Sequence, residues 1–258
     1  MSIYTAIIIE PRKHNALEFV LNNFLENLSD EWNIIIYHGN KNIDYLQNII
    51  DTKLQKYKTR IICKNLNIDN LSIDDYNNIM TNKDFIKSIP SEIFLIFQTD
   101  TMICEDYKDL INNFLQYDYV GAPWKDKNVG NGGLSLRRKT KMLEILDKCP
   151  YKEKYNEDLY FSFGCKDVVI NKPSFNDAKL FSIETVYNDK SFGIHKSWMY
   201  QNTKNSIKIN NQCKNYNKLV KLNSIKIDDN DNLILYFLIF IIFILFIIHI
   251  YSLTKSLK

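Results

Sequence analysis

The sequence predicts an α/β fold with a mostly parallel central sheet flanked by helices. Three observations predict it. Short, mostly apolar runs at 5–9, 32–37 and 93–97, the last of them unbroken, read as buried strands. Apolar residues between the first two recur at helical spacing: Leu17, Val20, Leu21, Phe24, Leu25 and Leu28. Strand and helix then alternate up to residue 124, the pattern of parallel sheets with helical crossovers.

The central element is Ile93-Phe94-Leu95-Ile96-Phe97, which stops at the polar tip Gln98-Thr99-Asp100. Ligands of open α/β sheets lie beyond the carboxyl ends of such strands, so Asp100 stands where a ligand is held. Residues 5–9 end at Glu10-Pro11-Arg12, because proline cannot donate to a ladder. Residues 32–37 close at His38-Gly39-Asn40, and Ile43, Leu46, Gln47 and Ile50 suit a short helix. Residues 60–63 form a weaker third strand. The polar, Asn-rich segment 64–90 carries helical hints at 76–80 and 85–89 and ends at Pro90. A helix bearing Tyr107, Leu110, Ile111, Phe114 and Leu115 follows, then a short strand within 117–124. Asn128 to Gly133 holds three of the seven glycines and precedes an alternating strand, 134–138. Met142, Leu143, Ile145 and Leu146 mark one more helix.

A formal charge of only +3, with lysines scattered rather than blocked, excludes a nucleic-acid binder as the natural reading. Five widely spaced cysteines, an odd number without metal-site spacing, read as reduced thiols. The N-terminus has no basic region and too short an apolar run for a signal peptide. Residues 233–251 are apolar except for His249. Nineteen such residues span about 28 Å as a helix, near the ~30 Å hydrocarbon core. The expected organisation is therefore a domain over 1–200, a polar Asn/Lys-rich stalk over 201–231, a transmembrane helix over 232–252 and a tail over 253–258. Four lysines between 214 and 226 against two after the run leave the N-terminal domain on the cytosolic side, as a single-pass C-terminal anchor.

Four features can carry chemistry, and each has a plainer reading beside it. Asp100 is a strand-end ligand or a turn aspartate. The Gly132-Gly133 pair permits close backbone approach or makes a tight turn; neither common phosphate-loop spacing is present. Glu157-Asp158 supplies a general base or complements a helix start. His195, near Gly193 and Trp198, is a ligand or a structural histidine. Trp198 is an aromatic that suits stacking on a sugar or base, and equally a core residue.

Taken together, several blocks resemble a known pattern. These are Phe97-Gln98-Thr99-Asp100-Thr101, Asp118-Tyr119-Val120-Gly121-Ala122-Pro123-Trp124, Gly130-Asn131-Gly132-Gly133-Leu134-Ser135-Leu136-Arg137, Asn156-Glu157-Asp158 and His195-Lys196-Ser197-Trp198. They look like a poorly characterised family of glycosyltransferase-like domains, similar to GT-A-fold nucleotide-sugar glycosyltransferases, over roughly residues 3–200. The resemblance implies a GT-A-like domain that moves a sugar from a nucleoside-diphosphate donor to a hydroxyl acceptor, such as a glycan, with inversion. Asp100 matches the second acid of a metal-binding acid-x-acid motif, and Gln98 replaces the first. His195 matches the late histidine that completes the metal shell. Asp158 matches the catalytic base, and Gly132-Gly133 the wall between donor and acceptor. Glu10 and Arg12 lie where nucleotide base and ribose are held, and Trp124, Lys196 and Trp198 join the same donor-binding set. One carboxylate and one imidazole suffice for Mn²⁺ or Mg²⁺, which keep water and phosphate oxygens as their other ligands. Lys196 or Arg137 could instead neutralise the phosphates without a metal. The alternative expectation is a catalytically silent nucleotide- or glycan-binding adaptor tethered to a membrane, motivated by Gln98.

Overall fold

The run Ile93–Phe97 is a strand in the middle of the sheet, and every residue of it is buried. The computed structural model describes residues 3–152 and 155–225. Their elements begin with β1 (Tyr4–Ile9), α1 (Leu17–Asn27), β2 (Trp32–His38), α2 (Ile43–Thr52) and β3 (Ile61–Asn65). Next come α3 (Ile73–Met80), α4 (Lys83–Lys87), β4 (Ile93–Phe97), β5 (Thr101–Ile103) and β6 (Tyr119–Gly121). β7 (Leu134–Arg138), α5 (Lys139–Lys148), α6 (Glu157–Phe163) and α7 (Phe175–Ala178) follow. The described chain closes with β8 (Ser182–Ile183), β9 (Gly193–His195), α8 (Thr203–Gln212) and α9 (Tyr216–Ser224).

Six strands form the main sheet in the order β3-β2-β1-β4-β7-β6. Only β7 runs against its neighbours, so the sheet is mostly parallel. Alternate residues of each strand feed two cores. Ala6, Ile8, Ile34, Ile36, Leu95 and Phe97 face one, closed by α1 and α2. Ile7, Ile35, Tyr37, Phe94 and Ile96 face the other, closed by α4, α5 and Phe161 of α6. Burial on both faces is why these strands read as mostly apolar runs rather than as alternating ones.

A small second sheet, β5-β9-β8, continues from the end of β4. Thr101 pairs with His195 across β5 and β9. A residue just past the central strand and a residue almost a hundred positions later are thereby brought side by side.

Three expectations are corrected. The segment carrying Tyr107 to Phe114 is a 3-10 helix, Glu105–Phe114, not an α-helix. The expected stalk is ordered structure up to residue 225. Ile209, Cys213, Tyr216 and Leu219 of the α8–α9 segment are buried in the first core. Its composition looked like a linker because only that narrow stripe is apolar, while the lysines and asparagines face outward. The cysteines are not all reduced thiols either. Cys104 pairs with Cys213 and Cys149 with Cys165, leaving Cys63 free. Pairs 109 and 16 residues apart leave no spacing signature to read in a sequence.

The proposed transmembrane segment, 232–252, lies outside the described residues, as do 226–231 and the tail. Among the described residues, no helix is long and apolar enough to cross a membrane.

Intact mass spectrometry without reductant should find two cystines and a single alkylatable thiol, on Cys63. Replacing Cys104 and Cys213 together by serine should lower unfolding free energy by about 2–5 kcal/mol in a urea titration, since the bridge closes a long loop.

Candidate active site

A cavity of about 450 Å³ opens at the carboxyl ends of β1 and β4. Strand order reverses between these two, since β2 and β3 lie to one side and the later strands to the other. That is the crevice in which open α/β sheets bind ligands. Glu10 and Arg12 enter from the end of β1, and Gln98 and Asp100 from the end of β4. Asn131, Gly132 and Gly133 form a wall, Asp158 stands at the start of α6, His195 ends β9 and Lys196 follows it.

Asp100 and His195 meet directly: Asp100 Oδ1 lies 3.4 Å from His195 Nε2. The other ring nitrogen, Nδ1, lies 3.4 Å from Glu184 Oε1. Burial alone would favour the neutral imidazole, but the two carboxylates pull its pKa up to about 9. Burial alone would likewise raise Asp100, yet the attraction of the His195 charge holds its carboxyl below the usual range. Gly133 belongs to the same contact. A Cβ there would lie 2.2 Å from His195 Nε2, so only glycine lets the wall and the ring approach this closely.

Asp158 Oδ2 accepts the Gly132 N–H at 3.1 Å, and Oδ1 accepts the Leu159 N–H at 2.7 Å. Burial, then the neighbouring Glu157 charge, raise its carboxyl above the ordinary range. Glu157 itself turns away from solvent. It grips Arg137 through two hydrogen bonds, that of Nη2 to Oε1 being 3.0 Å long. Arg137 is fully buried, between the rings of Tyr119 and Phe161. It therefore cannot reach a phosphate, which corrects one expectation. Of the adjacent acids, one anchors the site and the other faces the cavity.

Glu10 holds Arg12 in a two-pronged ion pair, with Nε and Nη2 each 2.8 Å from a carboxylate oxygen. Glu10 is buried and Arg12 half exposed, so the acid aims the guanidinium at the cavity mouth. Lys196 lines the cavity in a left-handed backbone conformation, φ 45°, with its N–H bonded to the Asp100 carbonyl at 2.9 Å. Two predicted residues do not line the cavity. Trp124 lies 6.4 Å from Phe163, ring centre to ring centre, and Trp198 packs beside Tyr216. Both tryptophans are drawn to apolar neighbours rather than to the polar crevice.

Sequence reasoning missed Glu184, Asn131 and Tyr76. Asn131 Nδ2 donates to Glu184 Oε1 at 2.8 Å, and Asn131 Oδ1 accepts the Gly133 N–H at 3.1 Å. The wall and the imidazole thus share one buried polar network. Glu184 had a signal: it is an acid at the end of a short strand, Ser182–Ile183, as Asp100 is just beyond the end of β4.

The structure also tests the implied metal. Among the described residues, no three His, Cys, Asp or Glu side chains gather around a metal position. Asp100 and His195 offer two donors, and Asp100 Oδ1 is buried without a hydrogen-bond partner. Once the imidazole gives up its proton, that donor pair fits a hard cation that takes its other ligands from water and phosphate.

The family model described as "Protein of unknown function (DUF5672)" matches residues 60–195, more than half of the chain. The chain belongs to this family. A comparison with curated proteins finds no match. Among solved structures, the glycosyltransferase GlyE of Streptococcus pneumoniae TIGR4 superposes with a TM-score of 0.54 at 11% identity. That match covers 88% of this chain and 61% of GlyE. TarS 1-349 of S. aureus matches with a TM-score of 0.46 at 12% identity, over 86% of this chain and 69% of TarS. The mannosyltransferase PcManGT of Pyrobaculum calidifontis, solved with GDP-Man and Mn2+, matches at 0.47 and 10% identity, over 67% and 54%. This DUF5672 member shares its fold with GlyE.

Two outcomes follow from the site's geometry. Gly133→Ala should destabilise by about 1–3 kcal/mol in urea unfolding, because the new methyl overpacks against His195. The second concerns pH. The folded pKa of His195, about 9, exceeds its ordinary 6.5. Its stabilising contribution is therefore complete below about pH 6.5 and lost as pH rises through about 9. Thermal melts of metal-free protein should fall across that window, and His195→Gln should flatten the profile.

Proposed function

We propose that the domain transfers a sugar from a nucleoside-diphosphate donor to a hydroxyl acceptor, with inversion. One observation carries this reading: Asp100, His195, Asp158, Arg12 and Lys196, remote in sequence, line one cavity beyond the parallel strands. The likeness to GlyE supports it at the level of the fold.

Asp158 is the catalytic base. Its raised carboxyl and its place beside the Gly132 wall suit it to take a proton from an acceptor hydroxyl. The acceptor oxygen bonds to the anomeric carbon as the bond from that carbon to the diphosphate oxygen breaks. The diphosphate leaves with the electron pair. Arg12 and Lys196 line the same cavity with cationic groups that complement its charge. Asp100 and His195 would hold Mn²⁺ or Mg²⁺, which supplies charge neutralisation for the leaving diphosphate. Glu10 orients Arg12, while Glu184 and Asn131 orient His195 and the wall.

The proposal includes a membrane tether through residues 233–251, on sequence grounds. The lysine count supports a cytosolic domain, whereas the two cystines support an oxidising compartment, where such bonds persist. We adopt the oxidising side, because the bonds belong to the folded domain itself.

A second reading, a catalytically silent donor-binding adaptor, is favoured by Gln98 standing in place of an acid. The two separate in one experiment. Donor hydrolysis and transfer with Mn²⁺ should fall ~10²–10⁴-fold in Asp158→Asn. Equal turnover by both proteins removes Asp158 from the mechanism. Tight donor binding by calorimetry, with no turnover on any acceptor, establishes the adaptor.

A further inference from the structure

Tyr76 is a cavity residue to which the mechanism above gives no task. It sits on α3, whose first turn is fixed by a reciprocal cap: Ser72 Oγ accepts the Asp75 N–H, and Asp75 Oδ2 accepts the Ser72 N–H. The next residue, Asn77, accepts the Glu157 N–H at 3.0 Å and so ties α3 to the start of α6. The Tyr76 ring packs against the second core. Its position is therefore set from three sides.

Its hydroxyl is buried and makes no hydrogen bond, although the residue lines the cavity. Folded proteins leave few buried polar groups unpaired, and each such group calls for an explanation. The charged neighbours are already engaged. Both Glu157 oxygens hold Arg137, and both Asp158 oxygens accept backbone N–H groups. Burial raises the phenol's pKa, and Gln98 stands close enough to offset a little of that rise. Tyr76 and Gln98 are thus two neutral side chains, each able to donate and accept, in a cavity that also carries Arg12, Asp100, Asp158 and Lys196. A phosphate would gain little from such a pair. A neutral hydroxyl, itself a donor and an acceptor, would satisfy both.

We propose that Tyr76, with Gln98 beside it, hydrogen-bonds a hydroxyl of the sugar that the donor carries. This rests on the sugar-transfer reading and extends it, because it assigns a contact made by the sugar and not by the nucleotide. The phenol hydroxyl is a recognition group left without a partner until the sugar arrives.

Tyr76→Phe tests the assignment in the full-length protein, since it removes one oxygen and leaves the ring. Thermal melts and calorimetry would compare UDP and GDP with UDP-glucose, UDP-N-acetylglucosamine and GDP-mannose. The expected result has three parts. The unliganded variant melts at or above the wild-type temperature, because an unpaired buried group has been deleted. Affinity for the nucleoside diphosphate stays within about twofold. Affinity for the matching sugar nucleotide falls about tenfold, the loss of one good hydrogen bond. Wild-type affinity of the variant for the sugar nucleotide would overturn the assignment and leave the sugar-transfer reading intact. A lower melting temperature without ligand would also overturn it, since the hydroxyl would then serve folding. Wild-type protein that binds none of the five ligands would overturn the sugar-transfer reading and this inference with it.

Discussion

The site depends on one short piece of backbone pairing, Thr101 opposite His195. β4 is buried on both faces and its direction is set by the sheet. Only a few residues beyond it, the chain enters β5 and pairs with β9. The Asp100 carbonyl accepts the Lys196 N–H at the same junction. The carboxylate and the imidazole are thus held at neighbouring positions of one ladder, and their charges bias each other's protonation. The Cys104–Cys213 bond lies at the far end of β5 and fastens that strand to the α8–α9 segment. A carboxylate–imidazole pair resting on three-residue strands gains from such a fastening, because short ladders have few hydrogen bonds to lose.

The opposite wall is built on a buried charge pair. Arg137 sits at 0% exposure, and its partner Glu157 at 4%. Leaving either charge alone in that interior would cost far more than the pair contributes. The pair therefore acts as a locating device. It ties β7 to α6 and places Asp158, the next residue, against Gly132. The glycines complete the arrangement. A Cβ on Gly132 would lie 2.7 Å from both Asp158 Cβ and Glu157 Oε1, so the wall must lack side chains to reach the acid. Adjacent acids of the same chemistry take opposite roles because one meets a buried guanidinium and the other an open cavity.

Much of this was readable in the linear chain. The runs at 5–9, 32–37 and 93–97 announce strands because a strand buried on both faces must be mostly apolar. Helical spacing in 17–28 is equally plain, since one face of α1 covers the sheet. Asp100, Asp158, Gly132, Gly133, His195, Glu10, Arg12 and Lys196 could be named from strand ends and motif blocks, and the cavity contains them all. Trp124 and Trp198 were named from motif blocks and ring chemistry, neither of which says in which direction a ring points. The linker reading of 201–225 failed because composition averages over a helix whose single apolar stripe is enough to dock it.

The sequence alone determined the periodicities, hence the α/β class, the parallel strands and the polar strand tips at which ligands collect. These are local properties, written in the order of neighbouring side chains. The tertiary structure decided what depends on residues distant in the chain: the two cystines, the Arg137–Glu157 pair and the Glu184–His195–Asp100 row. It also decided that the Tyr76 hydroxyl would be enclosed without a partner. Burial and pairing are properties of three-dimensional neighbours, and no local pattern encodes which distant group will fill the space beside a given side chain.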